Sequence, residues 1–147
     1  MISDFNKPND FLSNFFIAPM VIAGVSYNTN EHYYQAMKMA IPENAATIAA
    51  CQHAGQTKKL GRKLPMRADW DQVKERFMYN GLVIKFAIPE LKQMLLSTGD
   101  QQLIEGNYWH DNIWGNCNCA KCTNIVGANK LGKLLMAVRT LAEVGVL

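Results

Sequence analysis

Residues 28–39 read NTNEHYYQAMKM, and this stretch decides the fold because its apolar and aromatic spacing predicts a half-buried helix. Glu31, Gln35 and Lys38 are spaced i, i+4 and i+7, so they share one stripe of that helix. Tyrosines and small apolar side chains fill much of the remaining surface. A carboxylate, an amide and an amine aligned among aromatic rings are suited to a polar ligand pocket.

A structural role for Glu31 is the first alternative. Asn28 followed three residues later by Glu31 is a capping-box pattern, and an acidic group in the first turn also suits the helix dipole. On this segment alone the structural interpretation is preferred, because such caps are far commoner than catalytic glutamates.

Composition indicates an ordinary globular protein. A chain of 147 residues can build one core, so we expect a single domain over residues 1–147. Hydrophobic residues make up 49% and charged residues 18%, which excludes a disordered chain. The net charge of +3 suits a small anionic ligand but lacks the dense basic stripe of a dedicated DNA-binding protein.

Targeting signals are not apparent in the sequence. The N-terminal residues show no signal-peptide pattern. The longest apolar run, residues 15–25, is broken by Pro19 and is too short to span a bilayer. We therefore expect a soluble cytoplasmic protein without membrane contact, and the sequence leaves its oligomeric state open.

The wider pattern predicts a mainly α (α+β) fold, namely a compact, single-domain, multihelical protein with a small β-hairpin near the N-terminus. Ala23-Gly24 forms the predicted turn of that hairpin, between residues 20–22 and 25–27. Residues 100–127 read as strand fragments and loop. Helices are predicted at about residues 30–40, 42–53, 56–63, 70–84 and 90–97, and from residue 130 onward.

Two helix starts and one conflict refine this prediction. Asp69, followed by Gln72, is a capping pattern for the 70–84 helix. Asn80-Gly81 inside that helix is also a hairpin signal, but the apolar period continues across the pair and favours a helix. Asn129 caps the last helix, whose apolar stripe is Leu131, Leu134, Leu135, Val138 and Leu141.

Two further segments contain polar groups that suit a nucleotide. Asn14 lies between aromatic residues in the stretch FLSNF, where an amide can read a ribose or a base edge, although a turn-forming asparagine is the commoner outcome. Arg62 follows Leu60-Gly61 in a lysine-rich stretch and its planar fork suits phosphate. A solvated basic helix face is the alternative there.

Residues 108–115, YWHDNIWG, are the second acidic and aromatic cluster. Trp109 and Trp114 flank Asp111, so they either belong to the core or stack on a ligand near a carboxylate. His110 beside Asp111 is weaker evidence, because such a pair is often only a structural hydrogen bond.

The cysteines are unevenly distributed. Cys51 stands alone, whereas Cys117, Cys119 and Cys122 form a C-x-C-x-x-C pattern. Three thiolates are one short of a closed tetrahedral zinc site, and His110 or Cys51 is the candidate fourth ligand. Free buried thiols or a redox-labile loop are the alternative to a structural zinc ion.

Six motifs in order resemble the NADAR or YbiA-like family. They are FLSNF, NEHYYQAMK, LGR, DWDQVK, DNIWG and GANKLGKLLMAVR, and together they extend from about residue 5 to residue 140. One departure is the insertion NCNCAKCTNIV before Gly127, where many relatives have a short glycine-rich turn.

The resemblance implies N-glycosidase activity toward ribosylated bases or amines. The substrates it implies are phosphorylated ribosylamino-pyrimidine intermediates of riboflavin synthesis, or ADP-ribose attached to guanine, in a small nucleotide or in nucleic acid. No metal or redox cofactor is required for this reaction. By position, Glu31 matches the family's catalytic glutamate, Asp111 its acidic partner and Trp70 its pocket tryptophan. The remaining motif positions expected to shape the ligand site are Asn14, Lys38, Arg62, Asn129 and Arg139, and Trp114 is a second candidate for base stacking.

Two other functions remain open from the sequence. One is an ADP-ribose or nucleotide binding module without turnover, and retention of both Glu31 and Asp111 argues for the enzyme instead. The other is a zinc-stapled nucleic-acid adaptor, which rests on the cysteine cluster and the basic helix and predicts steeply salt-dependent binding.

Overall fold

Two compact units make up the fold. The computed structural model describes residues 1–147. One unit is Asn14–Lys85, and the other combines Met1–Ser13 with Phe86–Leu147. None of the six helices combines the length and the hydropathy that a bilayer-spanning segment needs.

A hairpin and four helices dominate the Asn14–Lys85 unit. Strands β1 (Met20–Ile22) and β2 (Val25–Tyr27) pair in antiparallel register. Ala23 and Gly24 both have positive φ, 51° and 79°, as a two-residue hairpin turn requires. The helices are α1 (Asn30–Lys38), α2 (Pro42–Ala49), α3 (Ala54–Gly61) and α4 (Trp70–Phe86), and the buried core that they share with the hairpin contains Met20, Tyr27, Tyr33, Ala36, Met39 and Ile48.

Helix α3 begins two residues earlier than the sequence predicted, and α2 ends four residues earlier. The reason is a local cap, because the backbone N–H groups of Gln52 and His53 both donate to Oε1 of Gln56 at 3.1 Å. This cap separates α2 from α3 before the predicted end of α2 at His53.

Helix α4 continues through Asn80-Gly81, so the helical prediction for this stretch is confirmed. The glycine is explained by close packing of α4 on α1. A Cβ at Gly81 would overlap Oδ1 of Asn30 and would lie 2.9 Å from Cδ1 of Tyr33. Gly81 therefore serves a tertiary contact rather than a turn.

The second unit contains α5 (Pro89–Leu96), α6 (Lys130–Glu143) and a loop-rich segment between them. That segment holds one parallel pair of two-residue strands, β3 (Gly106–Asn107) and β4 (Asn116–Cys117), and a short 3-10 helix at Ala120–Cys122. The predicted stripe of α6 is confirmed, with Leu131, Leu135 and Val138 buried and Leu134 and Leu141 half-buried.

Candidate active site

The N-terminus of α1 is capped differently from the sequence prediction. The N-cap is Thr29, whose Oγ1 accepts from the backbone N–H of His32 at 3.1 Å. The predicted capping box of Asn28 and Glu31 is therefore wrong, because the helix begins two residues after Asn28. Glu31 nevertheless lies in the first turn of α1, where its charge suits the helix dipole.

The Glu31 side chain is only 6% exposed and its carboxylate is oriented by a neighbour one turn away. Nε2 of Gln35 donates to Oε1 of Glu31 at 2.8 Å. Oε1 of Gln35 is itself buried without a hydrogen-bond partner. A buried polar acceptor of this kind calls for a reason, and a polar ligand beside Glu31 is one.

Asn14 fixes the start of α1 from the preceding loop. Its carbonyl oxygen accepts from the backbone N–H of Glu31 at 3.1 Å, and its Oδ1 accepts from Nδ2 of Asn30 at 2.9 Å. Its own Nδ2 donates to Sδ of Met78 at 3.3 Å. The structure thus brings Asn14 and Glu31 together, and it uses the Asn14 amide to hold the helix start in place.

Lys38 interacts electrostatically with this carboxylate and with the guanidinium of Arg62. Burial lowers the pKa of Lys38, the charge of Glu31 opposes that decrease, and the charge of Arg62 lowers the pKa further. Lys38 is half-buried, whereas Arg62 is exposed just after the end of α3. Lys38, which was predicted to line the ligand site, and Arg62, which was predicted to suit phosphate, therefore interact electrostatically.

Gly61 in the LGR motif makes room for this arrangement. A Cβ at Gly61 would overlap Oε1 of Gln35 and would lie 3.1 Å from its Cδ. The glycine therefore leaves space for the amide that orients Glu31. Sequence spacing alone gave no signal for this contact.

Trp70 is 5% exposed and lies in an aromatic cluster. Its ring centroid is 4.9 Å from that of Tyr34 and 6.2 Å from that of Phe77, with Phe77 nearly parallel. The structure thus places the predicted pocket tryptophan next to α1, with both aromatic neighbours in the same unit.

Asp111 forms a turn in the second unit. Its Oδ1 accepts from the backbone N–H groups of Ile113 at 3.0 Å and Trp114 at 2.8 Å. Nδ2 of Asn107 donates to the Asp111 carbonyl oxygen at 2.8 Å. One carboxylate oxygen is therefore engaged by the loop. Trp114 is half-buried at the end of this turn, whereas Trp109 is 59% exposed.

Asn129 and Arg139 are buried and bonded to the 98–105 segment. Asn129 starts α6 with φ 49°, its Oδ1 accepts from the Glu105 N–H at 3.0 Å and its Nδ2 donates to the Leu103 carbonyl at 2.9 Å. Nη1 of Arg139 donates to Oγ1 of Thr98 at 2.8 Å and to the Gln101 carbonyl at 2.9 Å. Both side chains join α6 to this segment.

The predicted cysteine cluster is assembled, and its fourth member is His110 rather than Cys51. The ligand atoms of His110, Cys117, Cys119 and Cys122 all lie within 4.8 Å of one another. Burial raises the pKa of the Cys117 thiol, but hydrogen bonds from Cys119 and from the His110 N–H outweigh burial and bring the pKa below its usual value.

Besides Thr29 at the start of α1, three asparagines with structural roles near the candidate site were not predicted from the sequence. Asn30 donates to Asn14 at the start of the helix that carries Glu31, and Asn107 donates to the backbone of Asp111. Asn112 donates to a sulfur atom of the cysteine cluster. Asparagine is common in loops and helix starts, so no spacing signal distinguished these three positions.

A family model described as the NADAR domain matches residues 3–141. The chain therefore belongs to the NADAR family. N-glycosidase Npun_R5314 from Nostoc punctiforme is 38% identical over 140 residues, covering 90% of this chain and 85% of that protein. N-glycosidase YbiA from Escherichia coli is 32% identical over 144 residues, covering 95% of this chain and 86% of its own length.

The NMR structure of Escherichia coli YbiA matches with a TM-score of 0.82 at 29% identity, covering 98% of this chain and 88% of that one. This similarity confirms the predicted mainly helical fold with a small hairpin. A protein named for riboflavin biosynthesis in Vibrio vulnificus is 29% identical, and the match covers 92% of this chain and 37% of that protein. The relatives' names agree with the predicted class, a hydrolase that acts on N-glycosyl compounds.

Proposed function

We propose that this protein is an N-glycosidase that hydrolyses the bond between ribose C1 and the nitrogen of a base or amine. The observation that carries the proposal is the buried Glu31 carboxylate, oriented by Gln35 at 2.8 Å and flanked by the charge of Lys38. A buried carboxylate oriented in this way beside a cationic side chain is suited to stabilise positive charge that develops on a bound ribose.

The reaction explains why a carboxylate is needed. As the C1–N bond breaks, its electron pair leaves with the nitrogen and positive charge develops on C1 and the ring oxygen of the ribose. Glu31 stabilises this oxocarbenium-like state and accepts a proton from the attacking water, whose oxygen forms the new bond to C1. The leaving nitrogen takes up a proton from solvent and Glu31 returns the water-derived proton to solvent, so hydrolysis consumes one water and yields a free base or amine and ribose with a C1 hydroxyl.

Other residues serve binding in this proposal. Lys38 and Arg62 hold the phosphate of the substrate, for which Arg62 has the suitable planar fork. Trp70 shapes the base pocket and Asn14 holds the start of α1 beside Glu31.

For the second unit, we propose that Asp111 is the second acid, through the carboxylate oxygen Oδ2. We further propose that Trp114 stacks on the base of the substrate. Asn129 and Arg139 stabilise the conformation of their unit through their hydrogen bonds to the 98–105 segment. These roles extend the family resemblance and each is open to a separate test.

For the substrate we propose a phosphorylated ribosylamino-pyrimidine, because one relative is named for riboflavin biosynthesis. ADP-ribose attached to guanine is the second candidate. The two share a ribose whose C1 bears nitrogen and a nearby phosphate, so both suit a carboxylate beside Lys38, whose charge in turn interacts with Arg62.

Base release measured by chromatography from both substrates in parallel tests the proposal. We expect release from at least one substrate and its loss in Glu31→Gln, which keeps the shape of the side chain and removes its charge. Glu43→Gln, at an exposed acid in the first turn of α2, is the matched control and should retain activity. No release from either substrate, with ADP-ribose still bound by the folded protein, would favour a binding module.

A further inference from the structure

The atoms of the cysteine cluster have nearly the separations of a tetrahedral metal site. Nδ1 of His110 lies 3.3 Å from Sγ of Cys119 and 3.4 Å from Sγ of Cys122. With zinc–sulfur bonds of about 2.3 Å and zinc–nitrogen bonds of about 2.0 Å, a tetrahedron places nitrogen about 3.5 Å from sulfur. The four ligand atoms all lie within 4.8 Å of one another, so small adjustments suffice to close a shell around one ion.

The backbone of His110 is in a conformation that few residues adopt. Its φ is 69°, in the left-handed region that only a few per cent of residues other than glycine adopt, chiefly asparagine, aspartate and histidine. Strain of this kind persists where the surroundings require it. Here it accompanies an imidazole whose Nδ1 faces two sulfur atoms although the residue is exposed.

Surrounding groups orient the sulfur atoms. Nδ2 of Asn112 donates to Sγ of Cys122 at 3.5 Å, and Oδ1 of the same amide accepts from the Cys117 N–H at 2.9 Å. Hydrogen bonds to the ligands are characteristic of the surroundings of metal sites and stabilise thiolates.

We propose that His110, Cys117, Cys119 and Cys122 bind one zinc ion as a closed structural site. Three thiolates and one imidazole leave no open position for water or substrate, so the ion is structural and not catalytic. On binding, the three thiols release their protons, Nδ1 of His110 supplies its lone pair and Nε2 carries the imidazole proton.

The local fold explains why a metal is useful here. Residues 106–122 contain only a pair of two-residue strands and one short 3-10 helix. Side chains around the cluster are exposed, including Tyr108 at 69% and Ile113 at 51%, so little apolar burial stabilises the segment. The zinc ion supplies this missing stability and also fixes Asp111, which lies between His110 and Asn112.

This proposal does not depend on the N-glycosidase reaction, and its test measures metal and not turnover. The full chain, produced with zinc and freed of any histidine tag, is purified in a thiol reductant without chelator and analysed for bound metals. We expect one zinc ion per chain. Cys119→Ser should lose the zinc, whereas Cys51→Ser, which changes a half-buried cysteine outside the cluster, should retain it.

Two further measurements remain informative if Cys119→Ser does not fold. Replacing zinc by cobalt in the wild-type chain should give thiolate-to-cobalt charge-transfer absorption and the intense visible bands of a tetrahedral site. His110→Asn tolerates the left-handed backbone and should weaken those bands. A wild-type chain that stays free of zinc in excess zinc, with the cluster thiols reactive or joined as a disulfide, would overturn the proposal, as would equal zinc loss in Cys51→Ser.

Discussion

Nε2 of Gln35 donates to Oε1 of Glu31 at 2.8 Å, across one turn of α1. The bond leaves the Gln35 oxygen buried without a partner and fixes the direction of the carboxylate. In an enzyme that uses Glu31 at ribose C1, this orientation matters as much as the charge, because the carboxylate must face a developing positive centre.

Gln35→Met tests that relationship because it keeps the length and approximate volume of the side chain and removes the donor. We expect kcat for base release to fall roughly 10- to 100-fold, since a misoriented carboxylate loses much of its effect. The free energy of unfolding, measured in urea, should change by less than about 1.5 kcal/mol. Undiminished kcat in the folded variant would show that Gln35 does not position Glu31.

Gly61→Ala tests the same geometry from α3. The added methyl group would overlap Oε1 of Gln35, so we expect displacement of the amide, a lower kcat and a destabilisation of about 1–3 kcal/mol. Activity assays and urea unfolding check this prediction.

Gly55→Ala is the matched control in the same helix. Nothing lies within 4 Å of a Cβ at Gly55, so this change should leave kcat intact and stabilise the protein by about 0.4–1 kcal/mol. Equal effects of the two substitutions would mean that α3 is sensitive to any alanine and that the contact with Gln35 is unimportant.

The sequence was sufficient to predict contacts set by local periodicity. The i, i+4 spacing of Glu31 and Gln35 and the apolar stripe of α6 follow from 3.6 residues per turn, and both are present. The Asn80-Gly81 pair was ambiguous because its glycine is explained by a contact with Asn30. Such a tertiary reason is invisible to propensity.

Candidate site residues were harder to predict where the backbone conformation determines which side chain reaches the site. The C-x-C-x-x-C spacing indicated a metal site, but His110 joins it through a positive φ that no neighbouring residue signals. Thr29 was missed as the cap of α1 because Asn28 and Glu31 fit the capping pattern equally well. Short local patterns cannot choose between adjacent candidates.

Asp111 can be tested with a pair of substitutions that separates charge from turn formation. Asp111→Asn keeps an oxygen for the N–H groups of Ile113 and Trp114 and removes the charge. If Asp111 is the second acid, kcat should fall on the order of 100-fold while the melting temperature stays unchanged. Asp111→Ala should lose both the charge and the turn-forming hydrogen bonds, so its activity should fall as well and the protein should be destabilised by about 1 kcal/mol. Full activity of Asp111→Asn would mean that Asp111 serves only to form the turn.

Arg139 offers a choice between a structural and a binding role. Its guanidinium donates to Thr98 and to the Gln101 carbonyl, so Arg139→Met should destabilise the protein by about 1.5–3 kcal/mol in urea unfolding. Arg62→Met removes an exposed arginine and should instead raise KM for a phosphorylated substrate with little change in stability. The reverse result, a raised KM and unchanged stability for Arg139→Met, would assign phosphate binding to Arg139.

Lys38 makes stability depend on alkaline pH. Burial lowers its pKa in the folded protein below the ordinary value of 10.5, although the charge of Glu31 opposes the shift. Between those two pKa values the unfolded chain binds more protons than the folded chain, so the free energy of unfolding rises with pH in that window. Below the folded pKa the penalty for the buried charge is present in full.

Lys38→Met should therefore remove this rise, which urea unfolding measured from neutral pH to about pH 10 can detect. Burial also raises the pKa of Tyr27 and Tyr33, so wild type and variant both lose stability at higher pH, and this shared loss cancels in their difference. Lys59→Met, at an exposed lysine of α3, should preserve the wild-type rise. Parallel curves of unfolding free energy against pH for wild type and Lys38→Met would show that burial does not destabilise the Lys38 ammonium. That result would argue against Lys38 as a partly desolvated phosphate-binding group.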